Sequence, residues 1–340
     1  MKVLHVIDRL ETGGAERLFV NLTGLLAERN AHTGVLLFTA GSALDKELDS
    51  RLKIHVLNRG NKFNPFTLYK AHRICSSYDI VHTHLRHVYA YIRLAQLLFG
   101  GKYKLILHDH AAATIDIPVR LKGIFKPLYY IGVNKEQTTW AENTIEIAKQ
   151  NVFLLENTAM PEIRRSTIKA NGKKAMIVAN IRQVKNIEFA IELCRRMGWQ
   201  LDIYGNIIEQ DYYHMLLALS GNDGSIRIIN GITDFSQLYQ QYNLAIHCSP
   251  KETGPLVLIE YLAAGLPFIA HKTGSAAETV SAELPQLLMQ NFEQSQWEQR
   301  IREIITDTEL PDKMREVYKK KFNPEDYINR CLEIYKSVHS

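Results

Sequence analysis

Cysteine is scarce in this chain of 340 residues, and the four present, Cys75, Cys194, Cys248 and Cys331, lie far apart. No pair has the short spacing of a structural zinc site, and a disulfide framework needs a denser set. A reduced, cytoplasmic setting is the default expectation, with Cys194 and Cys248 in the core. Long apolar runs are also missing. Nothing approaches the roughly 18 uncharged residues of a membrane-spanning helix. The N-terminal stretch Met1–Asp8 is too short and too soon charged for a signal peptide, and reads instead as a buried first strand. There is no GxGxxG after that strand, which argues against a simple dinucleotide-dependent dehydrogenase. Low-complexity segments and repeats beyond a strand–helix alternation are absent.

Acidic charge is thin in one region. Residues 1–160 carry 20 Lys/Arg against 14 Asp/Glu, a net of +6, and the remainder carries 21 against 22, a net of −1. Between residues 80 and 135 stand Arg86, Arg93, Lys102, Lys104, Arg120, Lys122, Lys126 and Lys135, with only Asp109 and Asp116 opposing them. Tyr89, Tyr91, Phe99, Tyr103, Phe125, Tyr129 and Tyr130 interleave with these cations. One reading is a solvated basic face. The other is a peripheral contact with an anionic membrane or a lipid pyrophosphate. No nucleic-acid recognition motif accompanies the charge, so a nucleic-acid partner is not expected.

What is present is a steady alternation of short apolar runs with amphipathic stretches, the pattern of an α/β chain with mostly parallel sheets. Strands are expected near residues 3–8, 34–39, 53–57, 80–83, 104–108, 130–133 and 152–155, then 175–179, 200–204, 225–229, 244–247 and 268–270. Helices fall between them, including 187–197, 210–219 and 235–242. The rhythm breaks at 156–162, so two domains are expected, 1–160 and 161–323. A final helix over about 324–338 is expected to return to the first.

Ligands of open parallel sheets gather at the carboxyl ends of strands. Three such ends carry informative residues. Gly13 and Gly14 follow the first strand and allow close backbone approach to a ligand. His82 and His84 end one strand, and His108 and His110 end another. The densest signal is Ser249–Pro267, where Glu252 and Glu260 enclose a helix start at Thr253-Gly254-Pro255. There Thr253 is expected to cap and Pro255 to open the first turn. The amides of Gly254, Leu256 and Val257 then form an anion site between two carboxylates, which suits a phosphate joining two hydroxyl-rich groups.

These motifs in this order resemble the retaining glycosyltransferases of family 4, with the GT-B fold of two facing Rossmann-like domains and an interdomain cleft. The resemblance rests on Gly13–Arg17, Asp79–His84, Ala179–Asn186, Ile203–Asn206 and the two glutamates with seven residues between them, followed by Ala263–Pro267. It implies a donor that is a nucleoside diphosphate sugar, a UDP-sugar in preference to a GDP-sugar, and a glycan or lipid-linked acceptor. It further implies that a hexose is moved in polysaccharide or glycolipid synthesis, with no cofactor and no metal. Arg182 and Lys185 would neutralise the leaving pyrophosphate, Glu260 would hold the ribose, and Glu252 the transferred sugar. The amides from Gly254 to Val257, including those flanking Pro255, would bind phosphate. Gly205 would let the nucleotide pass close to the backbone, and Gly13 and Gly14 would face the donor. His110 would stand near the donor sugar, with His108 as the competing assignment. Glu16 and Arg17 would lie toward the acceptor.

The chain departs from the family pattern in three places. It has Glu252-Thr253-Gly254-Pro255 where Glu-Gly-Phe-Gly is common, Asn180 where an arginine is common, and Asn157-Thr158 for Asn-Gly. Asp-x-Asp does not occur, so a metal-bridged donor site is not expected. Three alternatives remain at this level: a sugar-nucleotide epimerase on the same fold, a metal site at His82, His84, His108 and His110, and a binding protein without catalysis.

Overall fold

A computed structural model describes every residue of the chain except 30–31, 61–63, 114–115, 160–171, 222–223, 233–234 and 236. The chain divides into two compact units, Met1–Asn157 with Pro324–Ser340, and Thr158–Asn323. The junction expected at 160–161 lies outside the described residues.

The first unit holds β1 (Lys2–Ile7), α1 (Gly14–Glu28), β2 (His32–Leu37), β3 (Lys53–Val56), α2 (Pro65–Cys75), β4 (Ile80–His84), α3 (Arg86–Phe99), β5 (Lys104–Asp109), β6 (Tyr129–Gly132), α4 (Lys135–Asn143) and β7 (Val152–Leu154). Its strands lie in the order β3-β2-β1-β4-β5-β6-β7, all parallel. Parallel strands are buried on both faces and so read as continuous apolar runs. Accordingly Leu4, Val6, Leu36, Val81, Leu105 and Leu107 join one core cluster with Val88, Ile92 and Trp140 from the helices. The strand order reverses between β1 and β4, and His5 on β1 lies opposite His82 on β4 in register.

The second unit holds β8 (Lys174–Val178), α5 (Ile187–Met197), β9 (Gln200–Tyr204), α6 (Gln210–Ser220), β10 (Ile226–Ile229), β11 (Leu244–His247), α7 (Leu256–Ala264), β12 (Phe268–His271), α8 (Gly274–Glu283), β13 (Leu288–Met289), α9 (Gln294–Thr306) and α10 (Leu310–Lys321). Its sheet runs β10-β9-β8-β11-β12-β13, again wholly parallel, with the reversal between β8 and β11. The short β13 was not expected, since two residues carry no periodicity. The helix expected over 235–242 includes residue 236, outside the described set, and its last part is a single 3-10 turn at Tyr239–Gln241.

The final helix, α11 (Pro324–His339), belongs to the first unit. It buries Tyr327, Ile328, Cys331, Ile334, Tyr335 and Val338, and Arg29 at the end of α1 bonds to Asn329 (2.6 Å) and Glu325 on its exposed side. All four cysteines are buried and reduced.

Candidate active site

In the second unit the carboxyl ends of β8 and β11 mark the point where strand order reverses, the usual place for a ligand in an open α/β sheet. The segment after β8 folds into a 3-10 turn at Gln183–Lys185 and leaves through Asn186 at φ 51°. Glu209 accepts from the Gln183 amide at 2.7 Å, and the Ser249 hydroxyl donates to the Val184 carbonyl at 3.1 Å, so both neighbouring segments pin the turn. Lys185 projects from it onto Glu252, and the two side chains form a part-buried ion pair. The His247 ring lies 3.5 Å from the same carboxylate oxygen. Burial alone would push the Glu252 carboxyl up, but His247 and Lys185 overcome it and hold the group down to about 2. Glu252 is therefore ionised across the physiological range.

The chain from Glu252 to Pro255 is fixed from the side of α8. The Glu252 amide donates to the Thr273 hydroxyl at 3.0 Å, and the Ser275 amide donates to the Thr253 carbonyl at 3.1 Å. Gly274 sits at φ 78°, and a side chain there would stand 3.0 Å from Pro255 Cδ and 3.1 Å from the Glu252 carbonyl. Glycine is what lets the two segments touch.

One expectation about this segment is corrected. Thr253 does not cap α7, whose first helical residue is Leu256 and whose N-cap is Pro255, with no side-chain cap. Thr253 turns its carbonyl to Ser275 instead, and Pro255 lies just before the helix, because contact with Gly274 sets its direction. The amides of Leu256 and Val257, first and second in α7, have no intrahelical acceptor by helix geometry. Glu260, one turn further on, is held by the Tyr239 hydroxyl at 2.6 Å. Tyr239→Phe removes this bond and is expected to cost about 1 kcal/mol of stability, read by denaturant unfolding.

Arg182 does not join Lys185. Its Nε stands 3.4 Å from Glu209, and both side chains are about half exposed. Gly205, at the end of β9, is required by the chain itself: a methyl there would lie 1.9 Å from the Ala179 carbonyl oxygen. The close approach at this glycine is backbone on backbone, and the expectation that the glycine makes room for a nucleotide has no separate support in the geometry.

In the first unit Gly13 is the N-cap of α1 and Gly14 its first residue. The Glu16 side chain folds back over them, and a methyl on Gly13 would stand 2.2 Å from its carboxylate. Burial pushes the Glu16 carboxyl up, with Glu11 adding to the effect. Arg17 is committed to an ion pair with Glu47.

The strand-end histidines gather into one cluster that also takes in His5 and Tyr335. His5, His82, His84 and His108 are wholly buried, whereas His110 keeps some accessible surface. Burial pushes His5 down to about 3 and His110 to about 4, and drives His82, His84 and His108 well below the ordinary value, helped by the neighbouring rings. All five imidazoles are neutral at pH 7. Two triplets, His5/His82/His84 and His84/His108/His110, bring nitrogens within 4.8 Å of one another, the spacing at which an ion could be held. Asp109 lies beside them but is committed to Arg86 at 2.7 Å and to the Tyr130 hydroxyl at 3.0 Å.

Of the residues singled out in the sequence, the structure pairs Lys185 with Glu252 and gathers the four histidines into one cluster. The contacts made by His247, Tyr239, Thr273, His5 and Tyr335 were not expected. His5 had a legible signal, since it occupies the strand face of the first β-segment and pairs in register with His82 once β1 and β4 are neighbours.

Two family models match the chain: the glycosyltransferase family 4 model over residues 12–139 and the glycosyl transferases group 1 model over residues 160–321. An uncharacterized glycosyltransferase of Haemophilus influenzae is 23% identical over 291 residues, 76% of each chain. Among solved structures, Anabaena HepE in complex with UDP and glucose aligns over 99% of this chain and 100% of its own, at 18% identity and a TM-score of 0.84. Sucrose-phosphate synthase from Thermosynechococcus elongatus aligns over 99% of both chains, at 16% identity and a TM-score of 0.81. Both likenesses concern the fold. The two models together span most of the chain, and their order along it is that of the two units, so this protein belongs to the glycosyltransferases of the group 1 and family 4 type, with the GT-B fold.

Proposed function

We propose that the chain transfers a hexose from a nucleoside diphosphate sugar, UDP-linked rather than GDP-linked, to a glycan or lipid-linked acceptor, with retention of anomeric configuration and without a metal. The observation that carries this reading is the Lys185–Glu252 pair at the strand-order reversal, just ahead of the first turn of α7, the helix that also carries Glu260. The preference for uridine draws on HepE, whose structures hold UDP and UDP-glucose. Lys185 supplies positive charge to the departing diphosphate, together with the first amides of α7. Glu260, aimed by Tyr239, accepts hydrogen bonds from ribose hydroxyls. Glu252 stays ionised, binds hydroxyls of the donor sugar and favours positive charge at its anomeric carbon. The leaving phosphate takes the acceptor proton on the same face, so no enzyme nucleophile is needed. Arg182 reaches the diphosphate only by leaving Glu209, and its contribution is correspondingly smaller than that of Lys185.

Calorimetric titration with UDP and GDP, followed by incubation with UDP-hexoses and assignment of the product anomer, tests this reading. Stronger binding of UDP and a retained anomer, unaffected by a chelator, are expected. Binding of GDP alone, inversion, or epimerisation of a UDP-hexose without acceptor would overturn the corresponding part.

The setting we propose is the cytoplasmic face of a membrane. Among the described residues no helix is long and apolar enough to cross a bilayer. The support is a short stretch before β6 in which Val119, Ile124 and Leu128 are 80%, 65% and 61% exposed, with Arg120, Lys122 and Lys126 exposed between them. Apolar tips among cations suit an anionic interface, where each cation contributes about 1 kcal/mol. The double variant Val119→Glu/Ile124→Glu is expected to lose at least about tenfold in affinity for phosphatidylglycerol vesicles at low salt. If wild-type protein does not co-sediment with such vesicles, a soluble acceptor takes the place of the lipid-linked one.

A further inference from the structure

The buried histidines and Tyr335 can be traced along one line of contacts. His108 Nδ1 stands 3.1 Å from His82 Nε2, and His82 Nδ1 stands 2.6 Å from the Tyr335 hydroxyl. That hydroxyl is 3.0 Å from His5 Nε2, His5 Nδ1 is 3.3 Å from His84 Nε2, and His84 Nδ1 is 3.1 Å from His110 Nε2. Three strand segments, β1, β4 and β5 with the residue just past its end, and α11 thus contribute to one path from a fully buried ring to a ring that keeps some accessible surface.

The same nitrogens could converge on an ion or bond to one another, and ring geometry separates the two. For His84–His110, His82–His108 and His5–His84 the ring centroids are 5.4, 5.2 and 5.6 Å apart, with planes inclined by 8°, 34° and 33°. In each pair the centroids stand farther apart than the facing nitrogens by nearly two ring radii. That is a head-to-head, in-line approach, as in an N–H···N bond. Rings sharing one ion point at a common centre, and their centroids draw closer for the same nitrogen separation. The contacts are therefore hydrogen bonds.

An uncharged imidazole has one donor and one acceptor nitrogen. In an in-line chain, fixing the proton on one ring fixes it on the next. With the Tyr335 hydroxyl donating to an imidazole, two arrangements satisfy every link: all five rings carry the proton on Nδ1 with the hydroxyl donating to His5, or all five carry it on Nε2 with the hydroxyl donating to His82. The Cys331 thiol also lies against the hydroxyl, but sulfur is a weaker acceptor than an imidazole nitrogen. His108 Nε2 is buried with no partner among the described residues. An orphaned buried N–H is rarer than an orphaned acceptor. That favours the Nδ1 set, in which His110 offers its Nε2 as an acceptor to His84.

We propose that Tyr335 is a positioning residue: it joins two runs of histidines into one cooperative chain, so that His5, His82, His84, His108 and His110 share a single tautomer and His110 meets its ligand with one fixed ring nitrogen. The functional half of this statement rests on the reading that His110 faces the donor sugar.

The test is nitrogen-15 NMR of the imidazoles in the full-length protein, labelled at histidine and assigned by single replacements. All five rings are expected in the same tautomer, and Tyr335→Phe is expected to uncouple His82–His108 from His5–His84–His110, so that at least one run shows a second tautomer. Mixed tautomers in the wild type overturn the proposal. So does stoichiometric zinc that moves the His84, His108 and His110 resonances together, because the site would then be a chelate. The wild-type measurement decides even if Tyr335→Phe does not fold. Turnover is read separately, with kcat for the glycosyl transfer expected to fall about tenfold in Tyr335→Phe while the donor KM stays within about twofold. A shared tautomer with unchanged turnover keeps the chain and removes His110 from the sugar.

Discussion

If Lys185 faces the leaving diphosphate as proposed, Lys185→Ala is expected to lower kcat/KM for glycosyl transfer by about 10²–10³-fold, the loss that follows removal of a preorganised positive group facing developing charge. Most of the loss should fall on kcat, since the proposed task of the lysine is greatest when the diphosphate carries its full charge. Removing the lysine also leaves Glu252 part-buried with His247 beside it. The carboxyl should then titrate higher than its present value of about 2, because burial is no longer opposed by a nearby cation. In the intact protein the pair's contribution is present above the carboxyl's unfolded value and is lost only as pH falls toward 2. In the variant the activity should decline at a higher pH. Lys185→Arg restores the charge but as a planar guanidinium in place of a compact ammonium, and should recover only part of the rate. Steady-state kinetics over pH 4–8 checks all three outcomes, and an unchanged kcat in Lys185→Ala would remove the lysine from the leaving-group site.

The second large effect is on stability. Gly205→Ala should destabilise the second unit by about 3 kcal/mol, as forced overpacking does, because its methyl would stand 1.9 Å from the Ala179 carbonyl oxygen. A backbone oxygen cannot rotate away as a side chain can, so β8 and β9 would have to separate at their carboxyl ends. For a unit of this size that corresponds to a fall in melting temperature of roughly 6–12 °C. Denaturant unfolding and calorimetry on the folded fraction separate two explanations of the glycine. Lost stability with intact UDP affinity supports the backbone contact, whereas intact stability with lost affinity would return the glycine to the ligand.

The alternation of strands and helices was legible because parallel strands are apolar on both faces and their helices are not. Lys185 and Glu252 were legible because each lies in the loop that follows a strand's carboxyl end, and a parallel sheet places those ends together; Glu260, inside α7, was legible by its spacing from Glu252. The partners that aim them were hidden for the opposite reason. Tyr239 meets Glu260 from another segment of the unit, and Thr273 meets Glu252 across the start of α8. Neither has a local pattern that separates it from any other tyrosine or threonine. Thr253 shows the same limit: a good capping residue at the right spacing gave up that role because a neighbouring segment required its carbonyl. The histidines fall between these cases. His82 and His84 share a strand face by their spacing, as do His108 and His110, but Tyr335 reaches them from a helix some 250 residues further along, as its bond to His82 shows.

The placement of α11 bears on the order in which the protein is made. The first unit is interrupted by the whole of the second and regains its last helix only from Pro324 onward. During synthesis its seven-stranded sheet would emerge well before the helix that covers His5 and His82. Domains usually fold in the order they are translated. Here residues 158–323 can reach their final state while the earlier unit still has one buried face open to water. Until Tyr335 arrives, the wet histidines on that face would titrate near their ordinary values. Docking of α11 is then the step that drives water and protons off them together.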